Sequence, residues 1–320
     1  MLTRRRTLKV VTGMATALAL PVVRAQNATT KLLVGFAPGG SVDQTARALA
    51  ERLRPLLNRQ IVVENRPGAA GRIIIEATRQ AAPNGDTLML VPHGPMTLFP
   101  WIHRQLRYDP FKDFTPIGRI CTTDYALSTG VATPAQTLAE FITWAKVPGH
   151  KAAYGSPGAG TVPHFIGQGF AMQAQLDMTH VSYKGSALTM VDLMGGSLPL
   201  GSSPTADAIE HHRHGKVRIL ATTGEQRNPS LPQVPTLKES GVNFVMDGWY
   251  GLYAPADMPE ELQAAFNKAL GSAAWGIEDM LKRYAMRPAP TTPAQLTELQ
   301  RKEHQLWGPL VKASGFTPEG

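Results

Sequence analysis

A single cysteine, Cys121, stands in a chain of 320 residues. No internal disulfide can form, and no metal site can be built on cysteine pairs. Nucleotide motifs are missing too. No G-x-x-x-x-G-K-[ST] run occurs, and Gly158-Ala-Gly160-Thr-Val-Pro163 lacks the third glycine of a dinucleotide fingerprint. No serine sits in a G-x-S-x-G elbow, and no histidine–acid pair can be assigned to one by motif. Basic runs are scarce in the same way. The formal charge is +8, from 32 Lys and Arg against 24 Asp and Glu. Arg4, Arg5, Arg6, Lys9 and Arg24 all precede Gln26 and no acid does, so beyond that point 27 bases face 24 acids, a balance near +3. That excludes a nucleic-acid-binding surface built on basic clusters. Thirty glycines and 26 prolines are spread as punctuation, with no low-complexity tract and no repeat at solenoid spacing.

What is present begins with an export signal. Arg4, Arg5, Arg6 and Lys9 form a positive n-region, residues 10–23 are mostly apolar, and Val23-Arg24-Ala25 is a small-x-small cleavage site. The apolar stretch is too short and too rich in Ala and Thr for a membrane span. Thr3-Arg-Arg-Arg-Thr-Leu-Lys9 is similar to a twin-arginine signal, with Thr7 where a bulky residue is usual. Residues 1–25 are therefore expected to be removed, leaving about 295 exported residues, enough for a sizeable core without disulfides.

The most informative stretch is Phe36-Ala-Pro-Gly-Gly-Ser-Val-Asp-Gln-Thr-Ala-Arg47. A short apolar run precedes it, and apolar residues at helical spacing (Ala46, Leu49, Ala50, Leu53) follow. Pro38, Gly39 and Gly40 make a turn needing positive φ, Ser41 is an N-cap candidate, and Gln44 completes a capping-box pattern. Replacing Gly40 with Val is expected to block that turn. Such a turn leaves free N–H groups at the positive end of a helix dipole, ready for a carboxylate or phosphate. Residues 152–172 repeat the pattern: a short strand, then Gly155-Ser-Pro-Gly-Ala-Gly160, the capping hydroxyl of Thr161 and a helix. Two such turns far apart suit a ligand held between two lobes.

Along the chain, short apolar runs at 61–63, 87–91, 217–221 and 251–253 alternate with helical patterns at 73–81, 138–145, 187–193, 204–212 and 260–273. That alternation predicts an α/β fold with mostly parallel sheets and a helical C-terminal segment from Pro259.

Eight motifs then stand in order. The first, 36–47, is followed by Val63-Glu-Asn-Arg-Pro-Gly-Ala-Ala-Gly71, Pro83-Asn-Gly-Asp-Thr-Leu88 and Tyr108-Asp-Pro-Phe-Lys-Asp-Phe-Thr-Pro-Ile117. Then come Tyr154-Gly-Ser-Pro-Gly-Ala-Gly-Thr161, Val181-Ser-Tyr-Lys-Gly185, Leu231-Pro-Gln-Val-Pro-Thr-Leu-Lys-Glu-Ser-Gly241 and Trp249-Tyr-Gly-Leu-Tyr-Ala-Pro255. Over nearly the whole mature chain this resembles the Bug-type solute receptors of tripartite tricarboxylate transporters. The resemblance implies a type II periplasmic-binding-protein fold, two α/β lobes closing on a ligand. Lobe 1 would hold residues 26–123 and 248–320, and lobe 2 residues 124–247. It implies a non-enzymatic, cofactor-free receptor that takes a small mono- or dicarboxylate, aromatic ones included, to membrane permease subunits, and a cleft that must open and close argues for a monomer. Its two glycine turns correspond to the family's carboxylate-holding loops. Three departures stand out: Ile74 and Ile75 where glycine is usual, Asn84 and Asp86 in the Pro-x-Gly-x-Thr-Leu motif, and 196–203 without the usual acid. The last precedes the helix at 204–212, so ligand identity rests there.

The candidate ligand-binding residues follow. The first turn supplies Phe36, Pro38, Gly39, Gly40, Ser41 and Asp43; the second supplies Ser156, Gly158, Ala159, Gly160, Thr161 and His164. His93 follows a strand at its carboxyl end, where open α/β sheets hold ligands. Tyr183 comes from the Tyr-Lys-Gly motif, Pro204 and Asp207 from the helix beside the cleft, and Trp249 from a strand–loop junction. Several have plainer roles. Asp43 in a first turn complements the helix dipole, aromatics such as Phe36 and Trp249 pack cores, and His164 packs. His211, His212 and His214 point different ways around one helix and read as a solvated helix end rather than a metal site. The competing functions are an exported hydrolase using Ser41 or Ser156, and a receptor serving a signalling sensor.

Overall fold

The computed structural model describes residues 28–150, 152–313 and 316; the export peptide read over 1–25 lies outside the described residues. Strands β1 (Thr29–Val34), β2 (Gln60–Asn65), β3 (Thr87–Pro92) and β4 (Phe114–Thr123) open a six-stranded sheet. The chain then leaves it to build a five-stranded sheet from β5 (Tyr125–Thr129), β6 (Ala153–Ser156), β7 (Thr179–Ser182), β8 (Leu200–Pro204) and β9 (Arg218–Thr222). It returns with β10 (Gly248–Pro255) and β11 (Arg287–Pro288). The orders are β11-β4-β10-β3-β1-β2 and β7-β6-β8-β5-β9.

Helices α1 (Ser41–Leu57), α2 (Arg72–Arg79), α3 (Gly94–Thr97) and α4 (Phe99–Ile102) belong to the first sheet's segment. The second sheet carries α5 (Leu138–Ala145), α6 (Val162–Gln173), α7 (Ser186–Gly195) and α8 (Thr205–Arg213). The C-terminal segment adds α9 (Glu260–Gly276), α10 (Glu278–Arg283) and α11 (Pro293–Ala313).

Each βα unit forms for the reason its pattern suggests. Leu32 and Val34 alternate with Lys31 and Leu33 along β1, and α1 lays Ala46, Leu49, Ala50 and Leu53 on the sheet with Phe266 and Leu270 of α9 behind them. Ile74 and Ile75 of α2 are fully buried, so this departure from the family motif is a packing change. Asp86 pairs with Arg59 on the surface.

The expectation of mostly parallel sheets is corrected. β1, β2 and β3 are parallel, as are β6, β7 and β8, but β10 runs antiparallel to both β3 and β4, and β5 antiparallel to both β8 and β9. The reason is topological. The two central intruders, β5 and β10, are the strands that begin as the chain crosses from one sheet to the other, so they enter against the direction set by the βα units.

The crossings, at Asp124 and at Gly248, are tightly packed on each other. A Cβ on Gly248 would lie 2.5 Å from Tyr125 Oη and 2.9 Å from its Cζ. Gly248→Ala is therefore expected to lower stability by about 1–3 kcal/mol, the cost of overpacking a filled site. A urea midpoint equal to or above that of the parent protein would contradict the packing argument.

Candidate functional site

The loop from β1 to α1 is held by its own side chains. Gly39 takes φ 93°, a conformation that costs an L-residue steric clash. Gly40 does not: at φ −76°, ψ 168° it is extended and is itself the N-cap, with Ser41 the first helical residue. The positive-φ requirement expected at Gly40 thus belongs to Gly39, and a Cβ on Gly40 would meet only Asp207 Oδ1, at 3.6 Å. The capping box is also absent. Ser41 Oγ shares a 2.7 Å hydrogen bond with Tyr250 Oη, and Gln44 Nε2 donates to the Gly39 carbonyl. Asp43 closes the turn instead, accepting from Gly39 N–H (3.0 Å), Arg47 Nε (3.0 Å) and Asn65 Nδ2 (2.8 Å). Burial pushes the Asp43 carboxyl up, but the bonds from Arg47, Gly39 and Asn65 together outweigh it and hold it below the ordinary range. Both of its oxygens are bonded within or beside the loop.

The second turn satisfies itself as well. Ser156 Oγ, fully buried, donates to the Gly158 carbonyl and lies 2.8 Å from His180 Nε2. Ala159 N–H donates to Ser182 Oγ, and Gly160 N–H, at φ 74°, to His164 Nδ1. Thr161 is the N-cap of α6, yet its hydroxyl donates back to the Gly158 carbonyl rather than capping the helix. Donors expected to face a ligand are spent within the loop.

A cavity of about 40 Å³ lies between the two halves, a few times the ~10–15 Å³ that one enclosed water needs. Of the expected residues it is lined by Phe36, Gly40, Ser41, Asp43, Thr161, Pro204 and Asp207. Tyr125 and Tyr250 from the crossing strands, Ser186 of α7, and a set of apolar groups including Pro92, Pro95, Pro157 and Val162 complete it. Sequence reasoning missed both tyrosines. The signal was strand alternation: Trp249 was singled out, but its neighbour Tyr250 is the residue turned to the cavity. Likewise His93 lies beneath, between Pro92 and Gly94, which do line it.

The other expected residues do not reach this cavity. Pro38 and Gly39 stand outside its lining. His93 is buried, with Nδ1 2.8 Å from Glu303 Oε2 and Nε2 2.7 Å from Tyr125 Oη, while Trp249 Nε1 donates to Glu303 Oε1 at 2.7 Å. Gly158, Ala159 and Tyr183 line a second cavity of about 260 Å³ beside Gly68, Arg72 and Lys184, with Phe36 and Pro157 forming the wall shared by both. Tyr183 Oη donates to Asp192. Gly160, Ser156 and His164 sit behind the second turn, where the His164 and His180 rings stack 3.9 Å apart. His212 Nδ1 takes the Ile219 N–H and His214 Nδ1 contacts the Glu210 carbonyl, as a helix end does. Among the described residues no group of three or more His, Cys, Asp or Glu is placed to hold a metal.

Helices α1, α6, α7 and α8, with the single-turn α3, begin at the cavity of about 40 Å³ between the halves. Their dipoles and unsatisfied N–H groups favour negative charge there. None of the described lining residues is Lys, Arg or His. Asp207 of α8 reaches across to the other sheet's loop, its Oδ1 2.5 Å from the Ser41 N–H. Burial raises its pKa, offset in part by bonds from Ser186 and from the Ser41 backbone and hydroxyl, and by His211. Beside it, Ala37 N–H donates to the Lys184 carbonyl at 3.2 Å, a second bond between the halves.

Two sheets joined by crossing strands, with a lined cavity at the helix starts between them, define a binding protein of the type II periplasmic class. The chain belongs to the tripartite tricarboxylate transporter receptor family, whose profile matches residues 45–316. It is 32% identical over 262 residues to the UPF0065 protein in the gbd 5' region of Cupriavidus necator, covering 81% of this chain and 79% of that one. Among solved structures it is similar to the periplasmic binding protein BugD (TM-score 0.87, 28% identity, 91% and 99% of the two chains). It is equally similar to an R. palustris protein solved with adipate (TM-score 0.87, 26% identity, 91% and 98%).

Two tests address the local geometry. Gly39→Ala is expected to cost about 1–2 kcal/mol from its left-handed backbone, whereas Gly40→Ala costs less than about 1 kcal/mol. A reversed ranking in urea titrations would overturn the assignment of the strained position. The histidine stack is the second. Burial lowers His164 to about 4 and His180 to about 3, the latter also through the nearby His164, against 6.5 when unfolded. Both folded values are depressed, so the unfolded chain takes up protons first; stability is fully present above pH 6.5 and is lost as pH falls toward 4 and 3. The double variant His164→Gln, His180→Gln is expected to show a shallower loss between pH 6.5 and 4 in guanidinium titrations; parallel curves would refute the stack's contribution.

Proposed function

We propose that this chain is a periplasmic receptor that captures a small carboxylate between two closing lobes, residues 26–123 with 248–320 and residues 124–247, and delivers it to a tripartite transporter. The observation that carries the reading is the cavity at which α1, α6, α7 and α8 all begin, enclosed by loops of both sheets. Helix starts supply anion-stabilising dipoles without a cationic side chain. Family membership and the adipate bound by a relative of the same fold support the carboxylate class. The receptor acts as a monomer, without a cofactor and without catalysis of its own, and hands its ligand to permease subunits.

One observation favours a second reading, hydrolysis at Ser156, because His180 Nε2 lies 2.8 Å from its hydroxyl. The physical chemistry weighs against it. The serine is fully buried, the histidine is held near pKa 3, and the ring stacks on His164 with Tyr154 alongside, so it is a weak base in a closed place.

The test is thermal unfolding of the mature protein, refolded from denaturant to strip bound ligand, against a panel of small carboxylates. A ligand at 100 times its Kd adds about 2.7 kcal/mol, a shift of several degrees for a chain of this size. No shift with any carboxylate in a cooperatively folding protein would end the receptor reading. Labelling of Ser156 by a fluorophosphonate would revive the hydrolase.

A further inference from the structure

The main cavity has an unusual balance of charge for a carboxylate site. Its lining carries two acids, Asp43 and Asp207, and no described base. Asp43 is neutralised by Arg47, whose guanidinium lies 2.9 Å from it. Asp207 has no such partner at the cavity; hydroxyls and one backbone N–H are what hold it. Burial raises its pKa, and those donors, His211 and the starts of α1 and α7 beside it offset that only in part. A carboxylate offers about four acceptor positions, and Ser41 N–H, the Ser41 hydroxyl and Ser186 leave room for another donor.

Two consequences follow for a ligand. Asp207 already takes the Ser41 N–H, which is the donor that the first glycine turn would have offered to a ligand oxygen. A ligand whose only charges are negative therefore meets another carboxyl group at one end of the cavity and gains no counter-ion from the described lining. A ligand carrying an ammonium group turns the same contact into a charge-assisted hydrogen bond in a low-dielectric place. The start of α6 at Val162, also in the lining, is then left for its carboxylate.

Resting on the receptor reading above, we infer that Asp207 makes this receptor selective for small aminocarboxylates, binding the ligand's ammonium group while Phe36, Pro95 and Val162 pack its apolar body. Asp207 is a specificity residue of this chain, sited on the helix that follows the departure of 196–203 from the family pattern.

The experiment is calorimetric titration of the refolded mature protein at pH 7.5 with matched pairs that differ in the amine: aspartate and succinate, leucine and 4-methylpentanoate, phenylalanine and 3-phenylpropanoate. The amino member of one pair is expected to bind at least about tenfold tighter than its partner, the worth of a hydrogen bond to a charged group. Asp207→Asn keeps an oxygen for the Ser41 N–H and removes the charge; it is expected to erase that preference, with its urea midpoint checking the fold. The wild-type comparison does not depend on the variant folding. Deaminated partners binding as well as the amino acids, or an Asp207→Asn protein that keeps the preference, would overturn the inference and leave the receptor standing. No binding by either member of any pair, nor by the wider carboxylate panel, would bring down both.

Discussion

One carboxylate holds the hinge together. Glu303 of α11 is 2.8 Å from His93 and 2.7 Å from Trp249, and His93 in turn is 2.7 Å from Tyr125. Those three partners stand at the end of β3, the start of β10 and the start of β5, which are the places where the chain approaches or makes its crossings. The same helix adds Gln300, buried, which accepts from Tyr253 Oη and donates to the Met96 and Pro110 carbonyls, and His304 beside the Thr97 carbonyl. A buried polar network of this kind is costly unless each member is satisfied, and when satisfied it specifies one arrangement. The C-terminal helix therefore fixes the floor of the cavity, since Tyr125 is part of that floor. His93 touches Tyr125 and does not itself line the cavity.

Above that floor, the described lining offers helix starts rather than cationic side chains. Backbone at helix starts is rigid and keeps its dipoles aimed without the entropy cost of ordering a lysine or arginine. The remaining surface is largely proline, valine and aromatic, which excludes water and strengthens every polar contact made inside. Within such walls a single ionised side chain carries unusual weight. Asp43 is removed from that role by its bonds to Arg47 and Asn65, leaving Asp207 as the acid with no basic partner in the described lining.

Much of the fold was legible because the βα units carry strong local patterns. The helix at 138–145 appears with the bounds read from its periodicity, and β1, β2, β3 and β9 stand where short apolar runs lie. What was missed lacks that signal. β4 runs through Pro116, Gly118 and Arg119, and β8 is Leu-Gly-Ser-Ser-Pro, apolar in one residue yet wholly buried because it lies inside the second sheet. The antiparallel entry of β5 and β10 is a property of the crossings, which no local window contains. At the site the loops were found but the side chains within them were only half assigned. Spacing cannot say that Gly39 rather than Gly40 is strained, nor that Ser41 turns to Tyr250, 209 residues away. The second turn is the clearest case: a glycine-rich pattern announces free N–H groups, while here Ser182 and His164, both distant from or beyond the turn itself, have already taken them.

In the proposed receptor, closure and recognition meet in one residue. The two halves are joined at the cavity by Ala37 N–H to the Lys184 carbonyl and by Ser41 N–H to Asp207. A neutral bond of this kind is worth about 0.5–1.5 kcal/mol net and one to a charged group about 1.5–3 kcal/mol. Such contacts alone bias the halves toward one another by only a few kcal/mol, before the ordering of the loops is subtracted. A ligand shifts the balance only by the contacts it makes in the closed form and not in the open one. Asp207 lies on the second sheet's side and Ser41 on the first, so any group that bonds Asp207 in place also steadies the bond between the halves. In the proposed receptor, the group that chooses the ligand is then also the group that bonds one half to the other.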